Sequence, residues 1–195
     1  KLWDIVQSGE LGKVQIITMN FGSFKEYDMS NRFFNMNLAG GAMLDIGVYA
    51  LSIVRSFLAE QPDEIMSQWK SSPTGSDEQA TILLKNAQGQ MATVALSMHS
   101  KQPKRAMISL EKGYIEIMEY PRADKAVIVG AESGVQTEIT AGDTADALYY
   151  EMQDMEHAVK SGDASAMQLA YSKDVMEIMT KLRKDWGMKY PGEAW

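Results

Sequence analysis

Cysteine is absent from the 195-residue chain, and histidine occurs only twice. Without cysteine the protein has no disulfides, no thiolate zinc site and no cysteine nucleophile. The two histidines, His99 and His157, lie far apart in the sequence, so we expect no histidine-based metal site. The lack of cysteine also fits a reducing compartment, and we expect a cytoplasmic protein.

Positive charge is scarce as well, because 19 Lys and Arg stand against 26 Asp and Glu and the formal net charge is −7. Nucleic acids and anionic membrane surfaces are bound through basic patches, whereas the one small basic cluster, Lys101, Lys104 and Arg105, is typical of a solvated loop. No run approaches the roughly 18 consecutive apolar residues of a membrane span, and no signal-peptide pattern opens the chain. We therefore expect neither a nucleic-acid nor a membrane partner.

The chain does contain a series of short strand-like runs. Lys13 to Phe21 is rich in apolar and β-branched residues and predicts a first strand. Seven further runs are Ile65 to Ser71, Ala80 to Asn86, Met91 to Met98, Ala106 to Leu110, Tyr114 to Met118, Ala126 to Val129 and Val135 to Thr140. The short turn-like links between several of them allow only antiparallel pairing, because a parallel return needs a long crossover. These runs predict a meandering, mainly antiparallel sheet.

Helical patterns stand on both sides of the strands. A short amphipathic helix opens the chain, and residues 41–59 predict a helix that is apolar almost all round. After the strands, two helices have apolar faces, formed by Leu148, Met152, Met155 and Val159 in one and by Val175, Met176, Ile178, Met179, Leu182 and Trp186 in the other. We interpret most of the fifteen methionines as core residues on such faces.

The predicted fold class is therefore α+β, with helices covering one face of a large, open-faced, mainly antiparallel sheet. The other face would be solvated or covered by a partner. An uncovered, partly apolar sheet face is a natural surface for a homodimer.

One polar seam interrupts the apolar helix predicted over residues 41–59, within the stretch GGAMLDIGVYAL, residues 40–51. On a regular helical wheel Asp45 and Tyr49 fall in one narrow stripe. Two interpretations are open. Asp45 could be a first-turn partner of the helix dipole, with the Tyr49 hydroxyl at the surface and Gly40 and Gly41 as a flexible entry. Alternatively the seam faces a wet cavity, and the glycines allow a ligand or another backbone to come close.

The stretch NRFFNMNLAGGAMLDIGVYAL resembles the signature of the Gfo/Idh/MocA oxidoreductases, near the start of their C-terminal domain. Its pattern GG-x₃-D-x-G-x-Y is similar to the tyrosine-bearing branch of the family, which includes dihydrodiol and xylose dehydrogenases. Three further stretches, SGELGKV, PTGSDEQATILLKNAQGQMA and WGMKYPGE, resemble family segments in the same order along the chain. The resemblance implies the fold of the C-terminal domain of glucose–fructose oxidoreductase-like enzymes.

The family combines this domain with an N-terminal Rossmann domain, which binds NAD or NADP and carries a catalytic lysine in a Glu-Lys-Pro motif. Neither G-x-G-x-x-G nor Glu-Lys-Pro occurs in this chain. The resemblance therefore implies that residues 1–195 are the substrate-binding and oligomerisation domain alone, with no cofactor bound to this chain by itself. The start at Lys1 fits a fragment, and a processed intact protein is an equal alternative.

The resemblance also implies roles for individual residues. Tyr49 matches the acid/base position and Asp45 the residue that orients substrate hydroxyls. Free tyrosine titrates near pH 10, so such a role needs a nearby cation, which the upstream lysine provides in the family. Arg32, Gly41 and His99 are candidate substrate-binding residues, although a loop salt bridge for Arg32 and a solvated strand-end position for His99 remain open. No metal site is expected.

The implied activity is hydride transfer between a nicotinamide coenzyme and a hydroxyl of a sugar, polyol or dihydrodiol. It would belong to the two-domain parent, and this chain alone would be inactive. The alternative is a non-catalytic module of the same fold that senses a ligand or binds another protein.

Overall fold

Eight strands form one sheet in the computed structural model, which describes residues 1–194. The strands are β1 Val14–Gly22, β2 Glu64–Ser71, β3 Asp77–Lys85, β4 Met91–Ser97, β5 Gln102–Leu110, β6 Gly113–Met118, β7 Lys125–Gly130 and β8 Gln136–Thr140. The helices are α1 Leu2–Gln7, α2 Val48–Phe57, α3 Ala147–Ser161 and α4 Leu169–Asp185. Short 3₁₀ turns cover Met36–Leu38, Tyr120–Arg122, Thr144–Asp146 and Ser165–Met167.

The strand order is β2-β3-β4-β1-β5-β6-β7-β8. Within residues 1–194, β1 and β4 form the one parallel pair of the sheet, and every other neighbouring pair is antiparallel. The short links predicted this antiparallel meander, and the α+β class is confirmed. The parallel pair arises because β1 lies between β4 and β5 in the sheet. After β1 the chain passes through α2, β2 and β3 before β4 pairs with it.

One face of the sheet forms the core, and the other lies open. On β1, Ile17 and Met19 are fully buried under α2, whereas Thr18 and Asn20 point to the opposite face and are partly exposed. Strand register aligns a row of side chains across that opposite face: Met66, Leu83, Thr93, Thr18, Met107, Glu116 and Val127. Met66 is 70% exposed and Leu83 48% exposed, so residues 1–194 leave this face uncovered.

The helix predicted over residues 41–59 is not regular at its start. Met43–Gly47 forms a π-helical turn, in which the N–H of Val48 donates to the carbonyl of Met43, and α2 continues from there. The regular wheel was therefore wrong for this turn, because its wider hydrogen-bonding ring changes the angle between successive side chains. Such single π turns occur frequently at functional sites.

The prediction that α3 packs its apolar face into the core was also wrong. None of its described side chains is buried, and Leu148, Met152 and Val159 are each more than half exposed. The core interpretation of the methionines fails on this helix, although Met19 and Met179 do lie in the core. An amphipathic pattern requires an apolar partner, and residues 1–194 provide none for α3.

The segment Met36–Phe57 meets the length and hydropathy criteria for a membrane span, with 22 residues and a mean hydropathy of 1.4. No such segment was expected from the sequence alone. Half of its most apolar stretch is buried inside the domain. It contains α2, whose Ala50, Leu51 and Val54 are fully buried and which packs on α4 and the sheet. In this structure the segment supplies the core helix.

Candidate active site

An open cavity of about 830 Å³ lies beside the first turn of the core helix. The helix contributes Asp45, Ile46 and Tyr49 to its wall, and the end of β1 contributes Phe21. The remaining wall comes from the loop after β1, from Lys104 on β5, from the end of β6 through to the start of β7, and from Thr144. Its charged side chains are Lys25, Arg32, Lys104, Arg122 and Lys125, against Asp45, Glu119 and Asp124. Five cations and three carboxylates make the cavity basic in a protein of net charge −7.

Arg32 and Asp45 form an ion pair inside this cavity. The Arg32 Nη1 atom lies 2.5 Å from Asp45 Oδ1, and the Asp45 side chain is only 19% exposed. The guanidinium also lies over the ring of Phe33, 4.3 Å from its centroid. The salt bridge that the sequence left open for Arg32 is therefore present, and it fixes the Asp45 carboxylate at the wall. No donor in the described part of the chain forms a hydrogen bond with the second Asp45 oxygen, so this oxygen can accept one from a ligand hydroxyl.

Tyr49 extends into the same cavity and is 46% exposed. Its ring lies 6.2 Å from that of Phe21, centroid to centroid. Among residues 1–194, no side chain or backbone group forms a hydrogen bond or ion pair with the Tyr49 hydroxyl. The hydroxyl can therefore exchange a proton with a bound ligand, provided that another part of the protein supplies the cation that a tyrosine base requires.

The structure does not bring His99 or Gly41 to this cavity. The His99 ring stacks on Tyr27, with centroids 3.9 Å apart, and its Nδ1 atom lies 2.8 Å from the carbonyl oxygen of Lys25. Gly41 is buried with φ of 133°, and a Cβ there would lie 2.0 Å from Asp77 Oδ1. Glycine is required at position 41 because another part of the chain approaches it. Arg32, Asp45 and Tyr49 are thus the candidate residues that share one site.

Asp77 is a residue near this site that the sequence motifs do not single out. It is the first residue of β3 and is fully buried. Burial raises the pKa of its carboxyl from 3.8 to about 7, although the hydrogen bond from Met43 and the positive charge of Arg183 act in the opposite direction. The acidic pair directly after the polar SPTGS stretch was the one sequence signal that could have drawn attention to it.

No group of three or more His, Cys, Asp or Glu side chains that could hold a metal ion occurs in the described part of the chain. Those residues also lack a dinucleotide site of the usual kind, since the one parallel strand pair, β1 and β4, is not joined by a glycine-rich turn into a helix.

A family model described as the GFO/IDH/MocA C-terminal domain matches residues 1–116. Among curated proteins, trans-1,2-dihydrobenzene-1,2-diol dehydrogenase of Mus musculus is 25% identical over 199 residues, covering 97% of this chain and 59% of the relative. The Xenopus laevis protein of the same name is 27% identical, covering 93% and 57%. An uncharacterised oxidoreductase of Rhizobium meliloti, ORF334, is 24% identical, covering 94% and 57%. The chain thus spans somewhat less than three fifths of the length of these relatives.

Solved structures share the fold. The 3-ketoreductase KijD10 of Actinomadura kijaniata, in complex with NADP and TDP-benzene, superposes with a TM-score of 0.73 at 18% identity, covering 91% of this chain and 55% of that one. The UDP-N-acetylglucosamine 3-dehydrogenase GnnA of Acidithiobacillus ferrooxidans superposes with a TM-score of 0.69 at 13% identity, covering 91% and 55%. At these identities the likeness establishes the architecture alone.

Proposed function

This chain belongs to the GFO/IDH/MocA family as a C-terminal domain of an oxidoreductase, and from that premise we propose its activity. The whole protein would transfer hydride between NAD or NADP and a hydroxyl-bearing carbon of a sugar, polyol or dihydrodiol. This domain would bind the substrate and supply the proton-transfer group. The observation that carries the proposal is the meeting of Asp45, Arg32 and Tyr49 in one cavity, on the helix that bears the family signature.

Each of these side chains has a separate task in the proposed mechanism. Tyr49 moves a proton to or from the reacting hydroxyl oxygen, as acid–base catalysis of this step requires. The Asp45 carboxylate accepts a hydrogen bond from a substrate hydroxyl, and Arg32 holds that carboxylate in position through its 2.5 Å contact. The nicotinamide, when bound by the remainder of the protein, supplies the hydride acceptor or donor.

The substrate class is supported from two directions. The vertebrate relatives are named for a trans-dihydrodiol, and the KijD10 complex contains a TDP compound beside NADP. The cavity combines a carboxylate acceptor with several cations, a lining suited to ligands with many hydroxyls or with anionic groups.

A separate dinucleotide-binding domain, N-terminal to residues 1–195 in the whole protein, is part of the proposal. The exposed apolar face of α3 supports a docking position for it beside the cavity. Thr144, in the 3₁₀ turn directly before α3, lines the cavity, so a domain that covers the open side of the cavity would lie beside the start of α3. Leu148, Met152 and Val159 would become its contacts.

The uncovered sheet face supports a homodimer. Its row of aligned side chains from Met66 to Val127 mixes apolar and polar groups in the manner of subunit interfaces. A monomeric whole protein in analytical ultracentrifugation at micromolar concentration would contradict this part of the proposal.

The central test is Tyr49→Phe in the whole protein. We expect kcat to fall by about 10²–10⁴-fold, the usual contribution of a positioned acid or base, while affinity for the nicotinamide coenzyme stays nearly unchanged. Tyr171→Phe is the matched control, because Tyr171 lies on α4 under the guanidinium of Arg55 and outside the cavity.

Unchanged turnover in Tyr49→Phe would remove this tyrosine from the mechanism. A whole protein that binds sugar or diol without turning it over would instead support the non-catalytic sensing module.

A further inference from the structure

Asp77, at the start of β3, connects the sheet to the first turn of the site helix. Its Oδ2 atom accepts a hydrogen bond of 2.5 Å from the backbone N–H of Met43, a residue 34 positions away in the sequence. The first N–H groups of a helix have no acceptor within the helix and are usually satisfied by a side chain at the N-cap. Ala42 occupies that position here and provides no side-chain acceptor. Asp77 therefore caps this helix from a different element of the fold.

The glycine pair of the family-like signature is shaped by this contact. Gly41 has φ of 133° and leaves no room for a Cβ, which would lie 2.0 Å from Asp77 Oδ1. On the preceding residue, the Gly40 carbonyl accepts a hydrogen bond of 2.7 Å from the Tyr190 hydroxyl. Both residues just before the helix are thus held in place. Asp77 of β3 packs against Gly41, and Tyr190 of the C-terminal segment binds Gly40.

The fixed segment leads directly to the proposed catalytic groups. The Asp45 N–H donates to the Gly41 carbonyl at 3.2 Å, so the first turn is built on the residue that Asp77 packs against. Asp45 lies two residues after Met43, and Tyr49 lies in the first turn of α2, which continues from the π turn. A displacement of Gly41 or Met43 would therefore move both side chains within the cavity.

We propose that Asp77 is a positioning residue for the reaction at Tyr49 and Asp45. It acts through the backbone of residues 41–43 and does not itself line the cavity. This assignment rests on the proposed function for its catalytic consequence, whereas its structural basis, the cap on the π turn, is independent of any activity. It also gives the glycine pair a role in holding the helix start, in place of direct contact with a ligand.

The test uses the whole protein with Asp77→Ala and Asp77→Asn. Asp77→Ala removes the acceptor for Met43, and we expect kcat to fall by about 10- to 100-fold, as for a small misplacement of catalytic groups, with a smaller change in KM. Asp77→Asn keeps an oxygen at the same place and should recover most of the lost kcat. In a Tyr49→Phe background, Asp77→Ala should reduce kcat by less than it does alone, because one of the two groups that it positions, the Tyr49 hydroxyl, is already gone.

A second measurement separates this proposal from the proposed activity. Hydrogen–deuterium exchange of residues 41–49 should become faster in Asp77→Ala than in the unaltered protein, while the amides of β1 and β5 stay protected. Faster exchange without any turnover in either protein would contradict the proposed function and leave the positioning role intact. Unchanged exchange in residues 41–49, or equal loss of protection across the whole sheet, would overturn the positioning role.

Discussion

The two long C-terminal helices have similar apolar periodicity and opposite surroundings. Both α3 and α4 repeat apolar side chains at helical spacing. On α4, Val175, Ile178, Met179 and Leu182 are at most 2% exposed and pack against α2 and the core, whereas α3 has no buried side chain. The main contacts of α3 within residues 1–194 are with the short turns that flank it. An amphipathic pattern thus indicates that a helix packs its apolar face against some partner. Only the fold shows whether that partner lies within this chain.

The largest expected effect on stability lies on α4. Leu182→Ala removes a fully buried side chain and should lower the free energy of unfolding of this 195-residue chain by about 2–5 kcal/mol. Urea unfolding followed by circular dichroism measures it. The matched control is Met176→Ala on the same helix, where the side chain is 51% exposed and the change should stay near zero. A similar loss in both variants would contradict the assignment of the buried face.

An intermediate effect on the free energy of unfolding is expected from Asp77, whose carboxyl is influenced by Arg183 of α4. The groups that act on its carboxyl are the backbone N–H groups of Met43, Asp77 and Ala42 and the positive charge of Arg183, and Glu193 pairs with Arg183. Because burial raises the pKa of Asp77 from 3.8 to about 7, the folded state binds its proton more tightly than the unfolded state. Its contribution to stability is therefore complete below about pH 4 and is lost as the pH rises through about 7.

Urea unfolding of the unaltered chain and of Asp77→Asn between pH 4 and pH 8 measures this contribution. The stability of the unaltered chain relative to the variant should fall as the pH rises across that range, because an amide does not titrate. A difference that stays constant with pH would show that the carboxyl has its ordinary pKa in the folded protein.

The smallest effect within this chain is expected on α3. Met152→Lys should change the free energy of unfolding by less than about 0.5 kcal/mol, since Met152 is 69% exposed. In the whole protein, by contrast, the same substitution should increase hydrogen exchange across α3, because it would place a charge in the proposed contact with the dinucleotide-binding domain. If Met152→Lys destabilised the 195-residue chain as much as Leu182→Ala, α3 would have its partner within this domain.

The sequence predicted the strands well where side chains alternate, as in Met91–Ser97, whose start was placed correctly. It predicted late starts for β3 and β5, at Ala80 and Ala106 in place of Asp77 and Gln102. Apart from Pro103, the residues missed at these starts are polar. Strand pairing joins backbone groups and does not depend on side-chain polarity, as the pairing of Gln102 with Gly22 shows.

The part of the candidate site that lies within one continuous sequence motif was predictable. The motif led to Asp45 and Tyr49, and the structure places both in one cavity with Arg32. The π turn, the buried Asp77 and the packing of His99 against Tyr27 depend on contacts between residues distant in the sequence. Periodicity contains no information on such contacts, so they required the folded structure.

The central place of β1 in the sheet has a consequence for how the protein folds. Hairpin links join β2 to β3 and β4, and join β5 through to β8, so each of these two groups can form from local contacts. They meet only through β1, where Ile16 pairs with Met91 and Val14 with Leu110. Closure of such long loops is slow. The topology therefore predicts that the earliest strand of the chain is the last to be enclosed, and that its insertion unites two halves that form before it.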